Sequence, residues 1–138
     1  MNRDIKFRAW HKEKKEMKCL DFLNLSRANF CGEWKVKQPD DLFGIATTVG
    51  DLWNIEDVEL MQYTGLKDKS GVEIFEGDIL KLTSSVKTYI SSVLFKDGKF
   101  CVKLNDGWYV SIASELFEDT EVLGNIYENP ELLEEQNV

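Results

Sequence analysis

A series of short alternating segments joined by tight turns, between residues 78 and 124, constrains the fold of this chain most strongly. Asp-Gly pairs at 97–98 and 106–107 separate segments in which apolar and polar residues alternate. Asp-Gly between alternating segments is a strong short-range signal for a β-hairpin, because a type I′ turn needs positive φ at both central positions. The pattern predicts an antiparallel meander of short strands, with one helical turn capped by Ser114 before the last strand.

The fold class follows from this meander together with the composition. Short strands joined by tight hairpins suit a small SH3-like barrel in the C-terminal half, about residues 58–127, and the same spacing also fits an open five-stranded meander. Aromatic residues make up 12 % of the 138 residues, and alanine, which favours helices, occurs only four times. The sequence therefore predicts a mainly β protein, a β-rich α+β fold, with an N-terminal β-hairpin subdomain and a short C-terminal helix.

The two ends of the chain carry local signals of their own. Alternate residues from Ile5 to Ala9 are apolar, and the polar stretch 11–16 follows them as the charged tip of a hairpin. At the other end, Asn129 and Pro130 combine a helix N-cap with proline at the first helical position. We expect a hairpin at the start of the chain and a short helix near its end.

The length predicts a single domain over residues 1–138. We divide it into an N-terminal hairpin and variable region over 1–57, a barrel-like half over 58–127, and a terminal helix or tail over 128–138. The stretch 20–57 has the weakest signals, because glycine and proline punctuate it.

Charge is distributed unevenly along the chain. Seventeen Lys and Arg stand against 25 Asp and Glu, which gives a net charge of −8. Residues 1–20 hold seven basic and three acidic side chains, whereas residues 115–138 hold eight acidic and no basic ones. Because nucleic-acid affinity depends on cation–phosphate contacts, the net charge disfavours a nucleic-acid partner. The basic first hairpin is then a local nucleic-acid site or a solvated tip, and we favour the solvated tip.

The compartment follows from hydropathy and cysteine usage. No run approaches the roughly 18 apolar residues of a membrane helix, and the N-terminus has no apolar signal core. We therefore expect a cytoplasmic protein, in the cytosol of the host cell, with no membrane partner. The cysteines at 19, 31 and 101 are odd in number and form no CxxC, so we expect free thiols, with a Cys19–Cys31 disulfide as the alternative.

Residue types that carry out catalysis are scarce. His11, the only histidine, lies in a polar stretch without an orienting partner, so we expect an ordinary surface residue. Glu73, Glu76 and Asp78 form a carboxylate cluster, but no organised cation loop surrounds them, which favours a turn in which Asp78 bonds backbone amides. Glycine-rich phosphate loops and the nucleophile elbow are absent from the sequence. We expect no enzyme activity, no cofactor and no metal.

The tryptophans at 10, 34, 53 and 108 have two interpretations. On a small barrel they can form a platform for a peptide or for nucleic-acid bases. They are more often part of the core, because a small β domain needs large apolar side chains. Trp108 and Tyr109 are adjacent on a predicted strand, so one of the two is expected to be exposed or at an interface.

Motifs in three regions of the chain have a familiar form. The first is Ile5–Trp10, the second runs from Leu60 through Gly71 to Ile79, and the third covers 124–133. In this order they resemble the YopX-like family of small proteins encoded by phages and prophages of Gram-positive bacteria. Phe75 stands where a tyrosine is common in that pattern, which puts in doubt any role for a hydroxyl there.

The resemblance implies a β-rich fold with a barrel-like half and a cytosolic accessory protein of unknown molecular function. It carries over no catalytic residue. It marks a set of motif positions whose role it does not define: Trp10, Tyr63, Thr64, Gly65, Asp68, Gly71, Gly77, Asp78, Gly124, Asn125, Tyr127, Asn129 and Pro130.

Three functional hypotheses remain open. The first is a non-catalytic phage or prophage accessory protein that binds a phage or host protein, or itself, and the missing active-site motifs favour it. The second is a nucleic-acid-associated small-barrel factor that uses the basic N-terminal hairpin, including Lys12, Lys14 and Lys15. The third is a metal-dependent hydrolase centred on Glu73 and its neighbouring carboxylates.

Overall fold

Antiparallel strands form most of the ordered structure. The computed structural model describes residues 5–19, 44–46, 52–105 and 107–134. The described chain divides into two compact units, which meet in sequence between Gln62 and Tyr63. Trp34 and Cys31, and the predictions that concern them, lie outside the described residues.

The first unit is built on a hairpin and a long strand. Strands β1 (Phe7–His11) and β2 (Glu16–Cys19) form the predicted N-terminal hairpin, and β1 also pairs antiparallel with the first half of β5 (Val58–Lys67). A second antiparallel pair joins β3 (Gly44–Ala46) to β4 (Leu52–Asn54).

Among the described residues of the first unit, a buried cluster forms around one indole ring. Ala9, Trp53 and Val58 are its buried members, and Trp53 is only 2 % exposed. Trp10 is also buried, at 7 % exposed. Both tryptophans therefore pack as core residues, which is the interpretation that the sequence favours.

The second unit contains the predicted meander. The end of β5 pairs with the short strand β6 (Glu73–Phe75). Beyond it lies a five-stranded antiparallel sheet that curls into a half-barrel, in the spatial order β10-β9-β8-β7-β11. Its strands are β7 (Asp78–Ser84), β8 (Thr88–Lys96), β9 (Lys99–Lys103), β10 (Tyr109–Ser111) and β11 (Phe117–Asn125).

The turn between β8 and β9 fixes the register of the meander. Asp97 has φ 53° and Gly98 has φ 79°, the positive values that a two-residue type I′ turn requires. Lys96 therefore lies directly opposite Lys99. Because side chains alternate along a strand, this register decides which lysines share a face of the sheet.

The core of the second unit lies on the inner face of this sheet. Its most deeply buried members are Leu80, Leu82 and Val102, which have no exposed surface, with Ile74 and Val93 close behind. Burying a side chain of this size contributes about 1.5–3 kcal/mol, so this layer supplies the main driving force for the unit.

The prediction of a mainly β fold with a short C-terminal helix is confirmed. The helix, α1, covers Glu131–Glu134. Around Ser114 the chain forms turns rather than the expected helical turn, and the Ser114 hydroxyl accepts the Leu116 N–H at 3.1 Å. Helix α1 is too short to cross a membrane, and no other α-helix occurs in the part of the chain that the structure describes. The single-domain division and the SH3-like detail stay predictions.

Candidate functional site

The side chain of Asp68 accepts three backbone hydrogen bonds in the second unit. Its Oδ1 accepts the N–H groups of Ser70 at 2.8 Å and Val72 at 2.9 Å, and its Oδ2 accepts the N–H of Val122 at 3.0 Å. The side chain is buried, at 7 % exposed. One carboxylate therefore shapes the loop after β5 and fastens it to β11, which lies 54 residues later in the chain.

The charge of Asp68 is stabilised by these bonds. Burial raises the pKa of its carboxyl group, but the N–H groups of Val122, Val72 and Ser70 and the charge of Lys69 lower it, and the net effect is a pKa below the ordinary value of 3.8. Asp68 is thus a carboxylate at neutral pH with its oxygens committed to backbone donors. This arrangement suits a structural anchor rather than a general acid or base.

Asp78 has a similar role in the turn between β6 and β7. Its Oδ2 accepts the Phe75 N–H at 2.8 Å, and the residue is 2 % exposed. Gly77, at φ 84°, donates its N–H to the Val93 carbonyl and accepts the Ile126 N–H, both at 2.9 Å. The prediction that Asp78 bonds a backbone amide in a turn is confirmed.

The Glu73, Glu76 and Asp78 cluster is accordingly not organised around a common point. Asp78 is buried, whereas Glu73 and Glu76 are partly exposed. Among the described residues, no group of three or more His, Cys, Asp and Glu side chains could hold a metal ion.

The motif at the end of β11 is a mutual cap. Asn125 Oδ1 accepts the N–H groups of Tyr127 at 3.0 Å and Glu128 at 2.9 Å. Asn129 Oδ1 accepts the Asn125 N–H at 3.3 Å, and the Asn129 N–H donates back to the Asn125 carbonyl at 2.8 Å. Gly124 faces this cap closely, because a Cβ added there would collide with the Asn129 side chain.

The other motif positions also have structural roles. Thr64 donates its hydroxyl to the Ile74 carbonyl at 2.7 Å, and the Tyr63 ring packs on the Phe75 ring at 5.4 Å between centroids. Positive φ accounts for Gly65 and Gly71, at 88° and 87°.

The burial of the side chain describes three further motif positions. Trp10 is buried in β1, Tyr127 is half-buried after β11, and Pro130 is exposed before α1. Most motif positions therefore stabilise the second unit from within, and the side chains of Asp68, Asp78 and Asn125 accept backbone N–H groups.

His11 contradicts its prediction as an ordinary surface residue. It is 5 % exposed, its Nδ1 accepts the Lys14 N–H at 3.1 Å, and its ring lies edge-on to Trp53 at 5.0 Å between centroids. The physical reason is register: the polar tip starts at Lys12, so His11 is the last residue of β1 and faces the core of the first unit. Its role is packing and support of the hairpin tip.

The cysteines that the structure describes are free thiols. Cys101 has no exposed surface, as expected for a packing residue in mid-strand, and Cys19 is exposed.

A different surface becomes apparent on the outer face of β8, β9 and β10. Lys96 pairs with Lys99 across the hairpin, and Lys103 pairs with Tyr109. The Lys96 and Lys103 ammonium groups lie 4.8 and 5.8 Å from the centroid of the Tyr109 ring. We call Lys96, Lys99, Lys103 and Tyr109 the lysine face.

Large aromatic side chains lie exposed at the same strands. Trp108 is 71 % exposed and Phe95 is 55 % exposed, each one position before a member of the lysine face. The expectation that Trp108 or Tyr109 is exposed is confirmed. Sequence reasoning identified Trp108 but missed Phe95 and the lysine face, because it treated the lysines as separate strand residues. The Asp-Gly turn at 97–98 was the available signal, since it fixes the register that places them together.

The basic N-terminal hairpin has a different electrostatic environment. Lys12 lies 3.3 Å from a Glu59 carboxylate oxygen, and Lys18 lies 3.6 Å from a Glu16 carboxylate oxygen. Part of the positive charge that the sequence places at this end is therefore balanced within the hairpin's own unit.

Comparison with known proteins identifies solved structures and a protein family that this chain resembles. The chain is 28 % identical to protein EF1440 from Enterococcus faecalis, and that crystal structure matches it with a TM-score of 0.61 over 96 % of this chain and 99 % of the other. Protein yopX from Bacillus subtilis matches the fold at 24 % identity with a TM-score of 0.54, over 92 % of this chain and 96 % of the other. No curated protein matches the chain. The family model described as YopX protein matches residues 6–134, and the chain therefore belongs to the YopX family.

Proposed function

We propose that this protein is a non-catalytic accessory protein of a phage or prophage that acts in the host cytosol by binding another protein. The observation that carries the proposal is the exposure of two large aromatic side chains of the second unit, Trp108 before β10 at 71 % and Phe95 on β8 at 55 %. Tryptophan and tyrosine are the residue types most often found to dominate binding energy at protein interfaces.

The family motif supports a non-catalytic role. Catalysis needs a reactive side chain that is held in place and is also open to substrate. Asp68 and Asp78 are held in place but are buried and bonded to backbone N–H groups. The side chain of Asn125 is likewise committed to the turn after β11. These motif residues stabilise a scaffold, and the exposed surface is left for recognition.

Affinity capture from phage-infected host cells tests the proposal. We expect a defined phage or host protein that, once purified, binds this chain directly in solution. Trp108→Ala should weaken that binding at least about 30-fold, since an interfacial hot spot contributes about 2 kcal/mol or more.

Val86→Ala is the matched control, because Val86 is 81 % exposed in the turn between β7 and β8 and is also an apolar residue of the second unit. It should leave the affinity within about twofold of the wild type, and both variants should keep their melting temperature, as is usual for surface substitutions. If no captured protein binds the purified chain, or if Trp108→Ala binds as tightly as Val86→Ala, the proposal is wrong.

A further inference from the structure

We infer that the lysine face is a docking site for an acidic segment of the protein partner. The inference rests on the proposed function and adds to it the chemistry of the partner. Its basis is that Lys96, Lys99 and Lys103 share one face of the sheet, and that the ammonium groups of Lys96 and Lys103 lie over the Tyr109 ring.

The lysine face gathers like charges that a sheet ordinarily avoids. Lys96 and Lys99 are directly opposed in the β8–β9 register, and like charges in such a pair are destabilising. Lys103 points to the same side, because it lies four residues after Lys99 on β9. No acidic side chain among the described residues forms an ion pair with any of these lysines.

Tyr109 holds two of the ammonium groups close together. Lys96 Nζ and Lys103 Nζ both lie within 6 Å of its ring centroid, at 4.8 and 5.8 Å, which is the range of a cation–π contact. The ring is attractive to each cation and so offsets part of the repulsion between them. It also keeps both positive charges at the surface, where a carboxylate of a partner can reach them.

Three other lysines of the described chain have an acidic partner within their own unit. On the N-terminal hairpin, Lys12 and Lys18 lie within 4 Å of glutamate carboxylates of their own unit. In the second unit Lys69 lies 3.7 Å from a Glu121 carboxylate oxygen. Lys96, Lys99 and Lys103 thus differ from these three lysines in having no acidic partner among the described residues.

The overall charge selects an acidic protein segment over a nucleic acid. The net charge of −8 opposes the binding of a long polyphosphate, whereas a short acidic segment brings only a few charges to the lysine face. Phe95 packs on Phe100 at 5.1 Å between centroids, on the opposite face of the sheet from Lys96. Exposed Trp108, one residue before Tyr109 in the chain, is the large apolar side chain available for the kind of apolar contact that a protein interface has at its centre. Complementary charge around such a centre mainly raises the association rate and the specificity.

Zero-length crosslinking with a carbodiimide tests the inference on the wild-type protein. This reagent joins a lysine amine to an Asp or Glu carboxylate only where the two are in contact, and mass spectrometry then identifies both residues. In the complex with the captured partner we expect crosslinks from Lys96, Lys99 or Lys103 to acidic residues of the partner. Their yield should fall as salt is raised, because exposed charges are screened.

A pair of triple variants with equal charge change provides the matched control. The first triple variant, which combines Lys96→Glu, Lys99→Glu and Lys103→Glu, should bind the purified partner at least tenfold more weakly. The same change at Lys12, Lys14 and Lys15 on the N-terminal hairpin alters the net charge by the same amount and should leave binding within about twofold. Replacement of the three sheet lysines by arginine should keep the affinity and abolish the crosslinks, which separates charge from folding.

Distinct results would overturn the inference. Crosslinks confined to other lysines, or an equal loss of affinity in the two glutamate variants, would show that the lysine face is not the docking site. The proposed function would still hold in that case if binding of the partner depends on Trp108. A nucleic acid is the other possible occupant. Labelled dT20 and rU20 oligonucleotides should bind the wild-type protein no more tightly than they bind the variant with glutamate at the three sheet lysines. If they bind the wild type tightly and this variant weakly, the occupant of the lysine face is a nucleic acid and not an acidic protein segment.

Discussion

Asp68→Ala should lower the free energy of unfolding by about 3 kcal/mol and the melting temperature by about 10 °C. The substitution removes an acceptor from the N–H groups of Ser70, Val72 and Val122, which then lose their partner at a buried position. Hydrogen bonds to a charged group contribute about 1.5–3 kcal/mol each, and three bonds to one carboxylate are not additive. Denaturant titration followed by circular dichroism and by aromatic fluorescence measures the loss.

The pH dependence of the same residue gives a second measurement. Because the pKa of Asp68 is lowered in the folded chain, the carboxylate stabilises the fold at pH values above its ordinary pKa of 3.8, and this contribution is lost as the pH falls through the lower folded value. Asp68→Asn should therefore be less stable than the wild type at neutral pH, and the difference should shrink below about pH 4.

Asp97→Asn is the matched control for both measurements. Asp97 is exposed in the β8–β9 turn at φ 53°, a conformation that asparagine adopts readily. The free energy of unfolding of the Asp97→Asn variant should stay within about 0.5 kcal/mol of the wild-type value across the pH range. A stability of Asp68→Ala equal to that of this control would show that the network does not fasten the loop to β11.

Gly124→Ala should destabilise the second unit by about 2 kcal/mol, although it adds only one methyl group. The added Cβ would collide with the side chain of Asn129, whose Oδ1 accepts the Asn125 N–H. The φ of Gly124 is outside the left-handed region, so the cost comes from the collision and from the displaced cap rather than from the backbone. Thermal unfolding of the purified variant measures it.

A double-mutant cycle with Asn129→Gly isolates this collision. Asn129→Gly removes the side chain that blocks the new methyl group, and by itself it should cost about 1 kcal/mol for the lost bond from the Asn125 N–H. The double variant should be more stable than the sum of the single losses predicts, by at least about 1 kcal/mol. Additive losses would show that Gly124 is required for a reason other than its contact with Asn129.

The sequence by itself determined the strands and turns of the second unit. Alternation of apolar and polar residues and the Asp-Gly turn at 97–98 are local signals, and they predicted β7 to β10 within a few residues of their ends. The last strand was the exception: β11 covers Phe117–Asn125 and so begins where the sequence predicted the helical turn after Ser114. Its exposed acidic residues hide the pairing with β7, which depends on a strand more than 30 residues earlier.

The candidate surface could be predicted only in part. The exposure of Trp108 beside Tyr109 followed from strand alternation, and the turn chemistry of Asp78 followed from its position after Gly77. The lysine face could not be predicted in this way, because Lys103 and Tyr109 become neighbours through the β9–β10 register rather than through their spacing in the chain.

Tertiary structure alone decided the roles of His11 and Asp68. A polar neighbourhood in sequence suggested a solvated histidine, but the strand register carries its ring against Trp53. The loop around Asp68 has an ordinary turn composition, yet its carboxylate bonds Val122 on a strand 54 residues away. Local periodicity reports which residues are extended, since it arises from backbone geometry over a few residues. Which buried polar group meets which distant N–H depends on how the strands pair, and the pairing is set by the burial of the whole core.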